Sequence, residues 1–240
     1  MTSGHRLADV VAKLRETASR MGSGNAALYI VARLLGAASG NRVRLFKYLI
    51  VAQPIGSGQR RSIRSDPATV IALTPRDSAI VEAFPRPANV IRHRFDSGAL
   101  CFSALVKGTF AGFIWIRRNG YDEDEVRCRF ALEEPSRSVW DFDVYIEPRF
   151  RIGRTLARLW SAVEHELAAT GVEWSFSRIS AFNPESLAAH SRLGIVGCHS
   201  AVFLLAGPLQ LALLPQWPYI HLSGSPRSQP TLRLRAPPRP

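Results

Sequence analysis

Apolar positions along the chain fall into three regimes. Over residues 7–38 they recur at helical spacing. Leu7, Val10, Val11, Leu14 and Ala18 line one face of a helix predicted over 7–21, and a second helix is predicted over 26–38 after Gly22, Ser23 and Gly24. From about 42 to 207, strand and helix patterns alternate. Residues 44–54 read as a strand, 99–106 and 112–117 as hairpin strands around Lys107 and Gly108. The acidic 121–125 stretch reads as a loop, and 126–132 as a further strand. Thr74 and Pro75 suit the cap and first position of a short helix. Residues 208–240 hold nine prolines or glycines among polar and basic residues, and disorder is expected from about Ser223 onward.

The most informative stretch is 139–148, which alternates with period two. Trp140, Phe142, Val144 and Ile146 are expected on one side, and Asp141, Asp143, Tyr145 and Glu147 on the other. Pro148 ends the strand, a turn containing Gly153 follows, and a helix then carries Leu156, Leu159, Trp160, Val163 and Leu167 on one stripe up to Gly171. Strand, turn and helix N-terminus together make an anion site, because the first N–H groups of a helix lack intrahelical partners and the dipole's positive end lies there. Arg149, Arg151, Arg154 and Arg158 cluster around the turn, which suits a pyrophosphate. A second strand–helix pair follows: 174–182 as strand, Asn183 as N-cap, Pro184 at the first helical position, His190 within the helix and Gly194 after it, with a last strand over 196–205.

Composition changes this picture little. With 46% apolar residues the 240-residue chain can bury a sizeable core, and no apolar run is long enough to predict a membrane span. The N-terminal stretch mixes Asp9 and Glu16 with its basic residues, which favours a mature helix over a transit peptide. Cys101, Cys128 and Cys198 are widely spaced with no zinc-type pairing, so a reduced, cytoplasmic protein without a metal is expected. The net charge of +12 is concentrated at the ends: residues 1–65 carry eleven basic and two acidic residues, and 222–240 carry four arginines and no acid. Basic ends of this kind reflect solvation or weak polyanion attraction, so specific nucleic-acid binding is not expected. Gly56, Ser57 and Gly58 lack the Lys-Ser/Thr of a phosphate cradle and read as a flexible loop. Trp115, Trp140, Trp160 and Trp174 fall on apolar positions and are predicted core, while His93, His165, His199 and His221 have no assignable partner.

The ordered pair Tyr145-Ile146-Glu147-Pro148-x-x-Arg151 and Asn183-x-x-Ser186-x-x-x-His190-x-x-x-Gly194-Ile195 resembles the GNAT (Gcn5-related N-acetyltransferase) family over about residues 68–207. Every spacing of the family's second motif is kept, with His190 where Tyr is usual and Ile195 where Phe is usual. The family's pyrophosphate loop has two small residues; here the 151–155 turn has Gly153 alone and is a residue shorter. The resemblance implies an α/β (α+β) fold, with a mixed, mainly antiparallel central sheet flanked by helices. It would span 42–207, between a helical extension at 1–41 and a largely disordered tail at 208–240.

It also implies a function: transfer of an acetyl or longer acyl group from acyl-CoA directly to a small-molecule or peptide amine, with no metal. The backbone of Tyr145 and Ile146 would pair with pantetheine amides. Arg151, Ile152, Gly153, Arg154, Thr155 and Leu156 would hold the pyrophosphate, and Asn183 and Ser186 the far end of the arm. Asp143, with Asp141 behind it, would serve as base, His190 as acid, and a backbone N–H near Ile146 as oxyanion donor. The acceptor would be set by residues 44–66 and 76–98, and a homodimer is compatible with the pattern. Two other classes compete: a non-catalytic acyl-CoA-binding module and, less favoured, a basic nucleic-acid-binding protein.

Overall fold

The computed structural model describes residues 18–56 and 66–238. Most of the helix predicted over 7–21 lies outside the described residues, although 18–21 are helical, and so does the basic loop at 57–65. In chain order the helices are α1 (Ser23–Ser39), α2 (Ala88–Asp96), α3 (Thr155–Ala169) and α4 (Pro184–Ser191). The strands are β1 (Val43–Pro54), β2 (Thr69–Leu73), β3 (Leu100–Val106), β4 (Thr109–Arg117), β5 (Tyr121–Asp122) and β6 (Arg129–Leu132). They continue as β7 (Ser138–Ile146), β8 (Trp174–Ser180), β9 (Val196–Ala206), β10 (Leu209–Leu213), β11 (Ile220–Ser223) and β12 (Thr231–Leu234). This is the mixed α/β class expected, with mainly antiparallel strands and flanking helices. The described chain forms two compact units, one from residues up to 51, 122–130 and 178–232, the other from 52–121, 131–177 and 233 onward.

In the first unit, α1 ends at Gly40, whose φ of 59° only glycine adopts at little cost. Strands β9, β10 and β11 form an antiparallel meander. Its inner positions include Phe203, which packs against Tyr48 with ring centroids 5.7 Å apart. The acidic 121–125 stretch, expected as a loop, begins with the two residues of β5 and continues as a loop that is pinned inward. Glu123 is buried and accepts two hydrogen bonds from Arg178, at 2.7 and 2.6 Å, while the Tyr48 hydroxyl donates to Glu125 at 2.8 Å. Burial pushes the Glu123 carboxyl up, against the pull of the Arg178 guanidinium.

The C-terminal stretch carries more order than its composition implies. Strands β10, β11 and β12 all lie after residue 207. In Thr231–Leu234, Leu232 and Leu234 are buried while Arg233 is exposed, so a four-residue alternation amid the prolines and arginines suffices to place a strand. Near the other end of the middle region, Thr74 does not cap a helix. It is buried and its hydroxyl donates to Ser103 at 2.6 Å; the helical segments come later, as a 3-10 turn at Ala79–Ala83 and as α2.

In the second unit, β2, β3, β4 and β7 pair antiparallel in that order, and β8 joins β7 in parallel. The β3–β4 turn has Lys107 and Gly108 both at positive φ, the backbone that matches strand twist in a two-residue hairpin. Helix α3 packs on β2, β3 and β4 and buries Leu159, Trp160, Val163 and Leu167, each worth roughly 1.5–3 kcal/mol relative to exposure. Leu156, expected on that stripe, is exposed, and Thr155 is buried instead. Gly171, at φ 77°, follows the helix as expected.

One irregularity decides the shape of β7. On β4, Phe113 pairs with Tyr145 and Trp115 with Phe142, so one residue of β4 faces two of β7, Asp143 and Val144. This is a β-bulge, with Asp143 at φ 49°. The extra residue exchanges the strand's two faces. Tyr145 therefore shares a face with Phe142, and Ile146 with Asp141, which corrects the uninterrupted alternation read from the sequence. Beside the bulge the backbones come unusually close. A Cβ on Gly112 would run into the Tyr145 carbonyl oxygen and Ile146 Cδ1, nearer than real Cβ atoms approach. Gly112→Ala is therefore expected to destabilise the protein by about 2 kcal/mol or more, since backbone cannot yield as a side chain can. Urea unfolding checks this; a change under about 0.5 kcal/mol would show that β4 and β7 can separate there.

Candidate functional site

The parallel β7–β8 ladder covers Ser138–Trp140 against Trp174–Phe176 and goes no further along β7. From Asp141 onward the edge of β7 on that side is outside the ladder, leaving backbone N–H and C=O groups for another partner. Two features hold this stretch open. One is the bulge; the other is a clasp on Asp143. Arg86 Nε donates to Asp143 Oδ2 at 2.8 Å and its Nη2 to Oδ1, and Arg94 Nη1 bonds Oδ2 as well. Asp143, the first candidate base, has a side chain only 14% exposed, and both its oxygens accept guanidinium N–H groups. The two guanidiniums rest on aromatic rings: Arg86 over Phe113 and Tyr145, Arg94 over Trp115 and Phe142, at 5.3–5.6 Å. Such cation–π contacts and charge-assisted bonds make a rigid wall behind the bulge.

Asp141, the second predicted acid, is buried at 4% exposure and accepts a hydrogen bond from the Ser175 hydroxyl at 2.8 Å. Burial pushes its carboxyl from the ordinary 3.8 up to about 7, with hydrogen bonds from Ser175 and Ser177 pulling the other way.

After Ile146 the chain passes through a short 3-10 turn at Pro148–Phe150 and four turn residues before α3 begins at Thr155. Arg151, Ile152, Gly153 and Arg154 are all exposed, and no side chain caps the helix. The first N–H groups of α3 thus open onto an exposed turn at the positive end of its dipole. The four arginines predicted around the turn separate in the structure. Arg158 is paired with Asp66 at 2.8 Å, and Arg149 lies over the Phe150 ring. Arg151 Nε donates to the Ile146 carbonyl at 2.9 Å and its guanidinium lies over Tyr145. Arg154 alone has no partner among the described residues. The Tyr145 hydroxyl donates to Glu147 Oε1 at 3.2 Å, and its ring stacks parallel to Phe110.

Asn183, Ser186 and His190 belong to the other unit. Asn183 Oδ1 accepts from the Ser186 backbone N–H at 3.0 Å, the N-cap predicted, and Gly194 lies at φ 73° beyond the helix. His190 is half-buried, and its Nδ1 lies 2.8 Å from the Ser186 carbonyl oxygen. That bond makes Nδ1 the protonated nitrogen and leaves Nε2 to act as acceptor when the ring is neutral or donor when it is charged. Among the described residues no cluster of His, Cys, Asp and Glu could hold a metal, the cysteines are free, and no helix is long and apolar enough to cross a membrane.

Arg86, Arg94, Gly112 and Ser175 were not singled out from the sequence. Arg94 had a legible signal, because an arginine three residues after Ile91 on one short helix sits on its buried stripe. Ser175 and Ser177 alternate with Trp174 and Phe176, which marks a face of small hydroxyls. Arg86 had none.

No family model matches the chain, and no curated protein does. Solved structures do. A conserved protein of unknown function from Staphylococcus epidermidis ATCC 12228 is 11% identical, over 73% of this chain and 67% of that one, with a TM-score of 0.48. A tandem GNAT protein from the clavulanic acid biosynthesis pathway is 14% identical over 71% of this chain, with a TM-score of 0.47. The match takes in 57% of that protein, so the chain spans less than two thirds of its length. AAC(6')-Iy, in complex with the bisubstrate analogue CoA-S-monomethyl-acetylneamine, is 19% identical over 52% of this chain and 89% of that one, with a TM-score of 0.39. Likeness at this level transfers no residue's role.

The buried Asp141 makes stability depend on pH. Its folded value lies above its unfolded one, so its favourable share is complete below about pH 4 and is lost as pH rises towards 7. Asp141→Asn, which keeps an acceptor for Ser175, is expected to gain on the wild type by up to about 4 kcal/mol between pH 4 and pH 7. Unfolding measured across that range checks this, and parallel curves for the two proteins would contradict it.

Proposed function

We propose that the chain is an acyl-CoA-dependent N-acyltransferase, with the acyl-CoA arm laid along β7 beyond Trp140. The observation that carries this is the interruption of the β7–β8 ladder at Trp140 and Phe176, followed on the same strand by the bulge and the uncapped α3. A strand edge with free amides suits the amide groups of pantetheine. An exposed turn with unpaired helix N–H groups and the free Arg154 suits a pyrophosphate. The Tyr145–Ile146 backbone and residues Arg151, Ile152, Gly153, Arg154, Thr155 and Leu156 would be the holding groups. Gly153 meets nothing closer than 3.6 Å in place of a Cβ, so its value lies in letting a phosphate approach the backbone.

Acyl-CoA supplies a thioester whose carbonyl is attacked by a neutral amine and whose thiol departs. Amines of pKa near 10 are mostly protonated at neutral pH, so a base must remove one proton. Asp143 is not that base here, because its oxygens are occupied; it is a positioning residue that fixes the bulge. Glu147 follows directly on the open strand, and one of its oxygens is left over after the Tyr145 bond, so the amine proton passes to Glu147. His190, in the position where the GNAT motif carries its acid, is assigned the return of a proton to the thiolate from Nε2, the nitrogen left over by the Nδ1 contact with the Ser186 carbonyl. Asn183 and Ser186 keep the role given them by the same motif.

A second reading has one observation in its favour. The Ile146 carbonyl is already taken by Arg151, which suits an acyl-CoA-binding module without turnover. Calorimetric titration with acetyl-CoA, followed by thiol release on a panel of amines, separates the two. Saturable binding is expected, weakened about tenfold in Arg154→Glu, and His190→Phe should lower turnover at least about tenfold while sparing affinity. Binding without release on any amine would favour the module, and absence of binding at millimolar acetyl-CoA would sink both.

A further inference from the structure

A cavity of about 240 Å³ lies in the second unit, and Arg86 is part of its wall. The same arginine grips Asp143 and stacks on Tyr145, so the cavity adjoins the bulge of β7. Its apolar lining includes Phe84 and Ile91, both buried, with the half-buried Phe95. Its charged lining is three arginines against Glu82. Arg76 is spent at the surface on Asp96.

The other two arginines leave charge uncompensated. The clasp sets Arg86 and Arg94 against the single carboxylate of Asp143, with the three side chains 30%, 10% and 14% exposed. One positive charge in this shielded wall therefore has no carboxylate of its own. Arg86 makes three hydrogen bonds, two to Asp143 and one to the Pro85 carbonyl. Two of its five N–H groups remain for a ligand. Arg92 has no acidic partner among the described residues, nor has Glu82. Arg92 and Glu82 are exposed at the rim, where water solvates them, while the half-buried Arg86 is the charge that gains most from an anionic ligand.

We propose that the cavity binds a small molecule with an apolar body, one anionic group and an amine, that is, an apolar α-amino acid or its phosphonate counterpart. The body rests on Phe84, Ile91 and Phe95, the anionic group meets Arg86 and Arg92, and the ammonium faces Glu82. The volume is a little below that of pockets for drug-sized ligands and suits about a dozen heavy atoms. If the acyl-transfer proposal holds, on which this part rests, that molecule is the acyl acceptor and its amine is the group modified.

Calorimetry on the full chain without any acyl-CoA tests the cavity by itself. The probes are L-phenylalanine, L-leucine, the amide of each, and the phosphonate analogue of phenylalanine. At least one acid should bind about tenfold or more tightly than its amide, and the tighter of carboxylate and phosphonate identifies the anionic group. Arg92→Gln should erase most of that preference, and Ala88→Phe, at an exposed lining position, should block binding with the melting temperature unchanged. Equal binding of acid and amide, or no binding of any acid up to about 10 mM, overturns the proposal. Acetyl-CoA binding without amino-acid binding removes this cavity assignment alone, and the reverse result removes acyl transfer while leaving the cavity.

Discussion

Asp143 lies at φ 49°, a conformation that costs a non-glycine residue on the order of 1 kcal/mol or more. What holds it there is the grip of Arg86 and Arg94 on its carboxylate, with both guanidiniums laid on aromatic rings of β4 and β7. Breaking a buried pair of this kind by removing one partner typically costs several kcal/mol, far above the backbone strain. The balance favours the bulge. From it follow the exchange of faces along β7 and the placement of Tyr145 over Phe113, just beyond the end of the ladder with β8. The same clasp brings a surplus positive charge to the cavity wall.

Two opposite demands meet on β7. Its first three residues pair with β8, and Trp140 pairs with Arg117 of β4 as well, with Trp140 and Trp174 fully buried. The residues that follow leave the ladder, and the chain then exposes its backbone through the 151–154 turn. A rigid base and an open continuation are what a site needs when its donors are main-chain groups, since the backbone must be held without being consumed. Arg151 qualifies this, because it already satisfies one of those carbonyls. The oxygen's second lone pair is left for a ligand amide, so Arg151 and a ligand can meet on the same carbonyl.

Local chemistry made much of this legible beforehand. The helix ends at Gly171 and Gly194, the Asn183 cap and the Lys107-Gly108 hairpin depend on residues adjacent in sequence, and all are legible there. What sequence could not show depends on distant partners. A strict period of two on 139–148 conceals a bulge whose cause, Arg86 and Arg94, lies about fifty residues earlier. The burial of Asp141 and Glu123 was not legible either, because their covering residues, Ser175 and Arg178, come from β8. Likewise the tail's strands need a partner before a few leucines outweigh the prolines around them.

In the proposed acyl-CoA site, the holding groups are main-chain N–H and C=O of β7 beyond the bulge and of the turn after it. Hydrogen exchange with and without coenzyme A measures those amides directly, free of any assumption about the acceptor. Amides of Tyr145–Ile146 and Ile152–Leu156 should be slowed by saturating coenzyme A, with Ser138–Trp140 already protected in its absence. Unchanged exchange across both stretches, in a titration where the coenzyme is shown to bind, would place the coenzyme elsewhere and contradict the account.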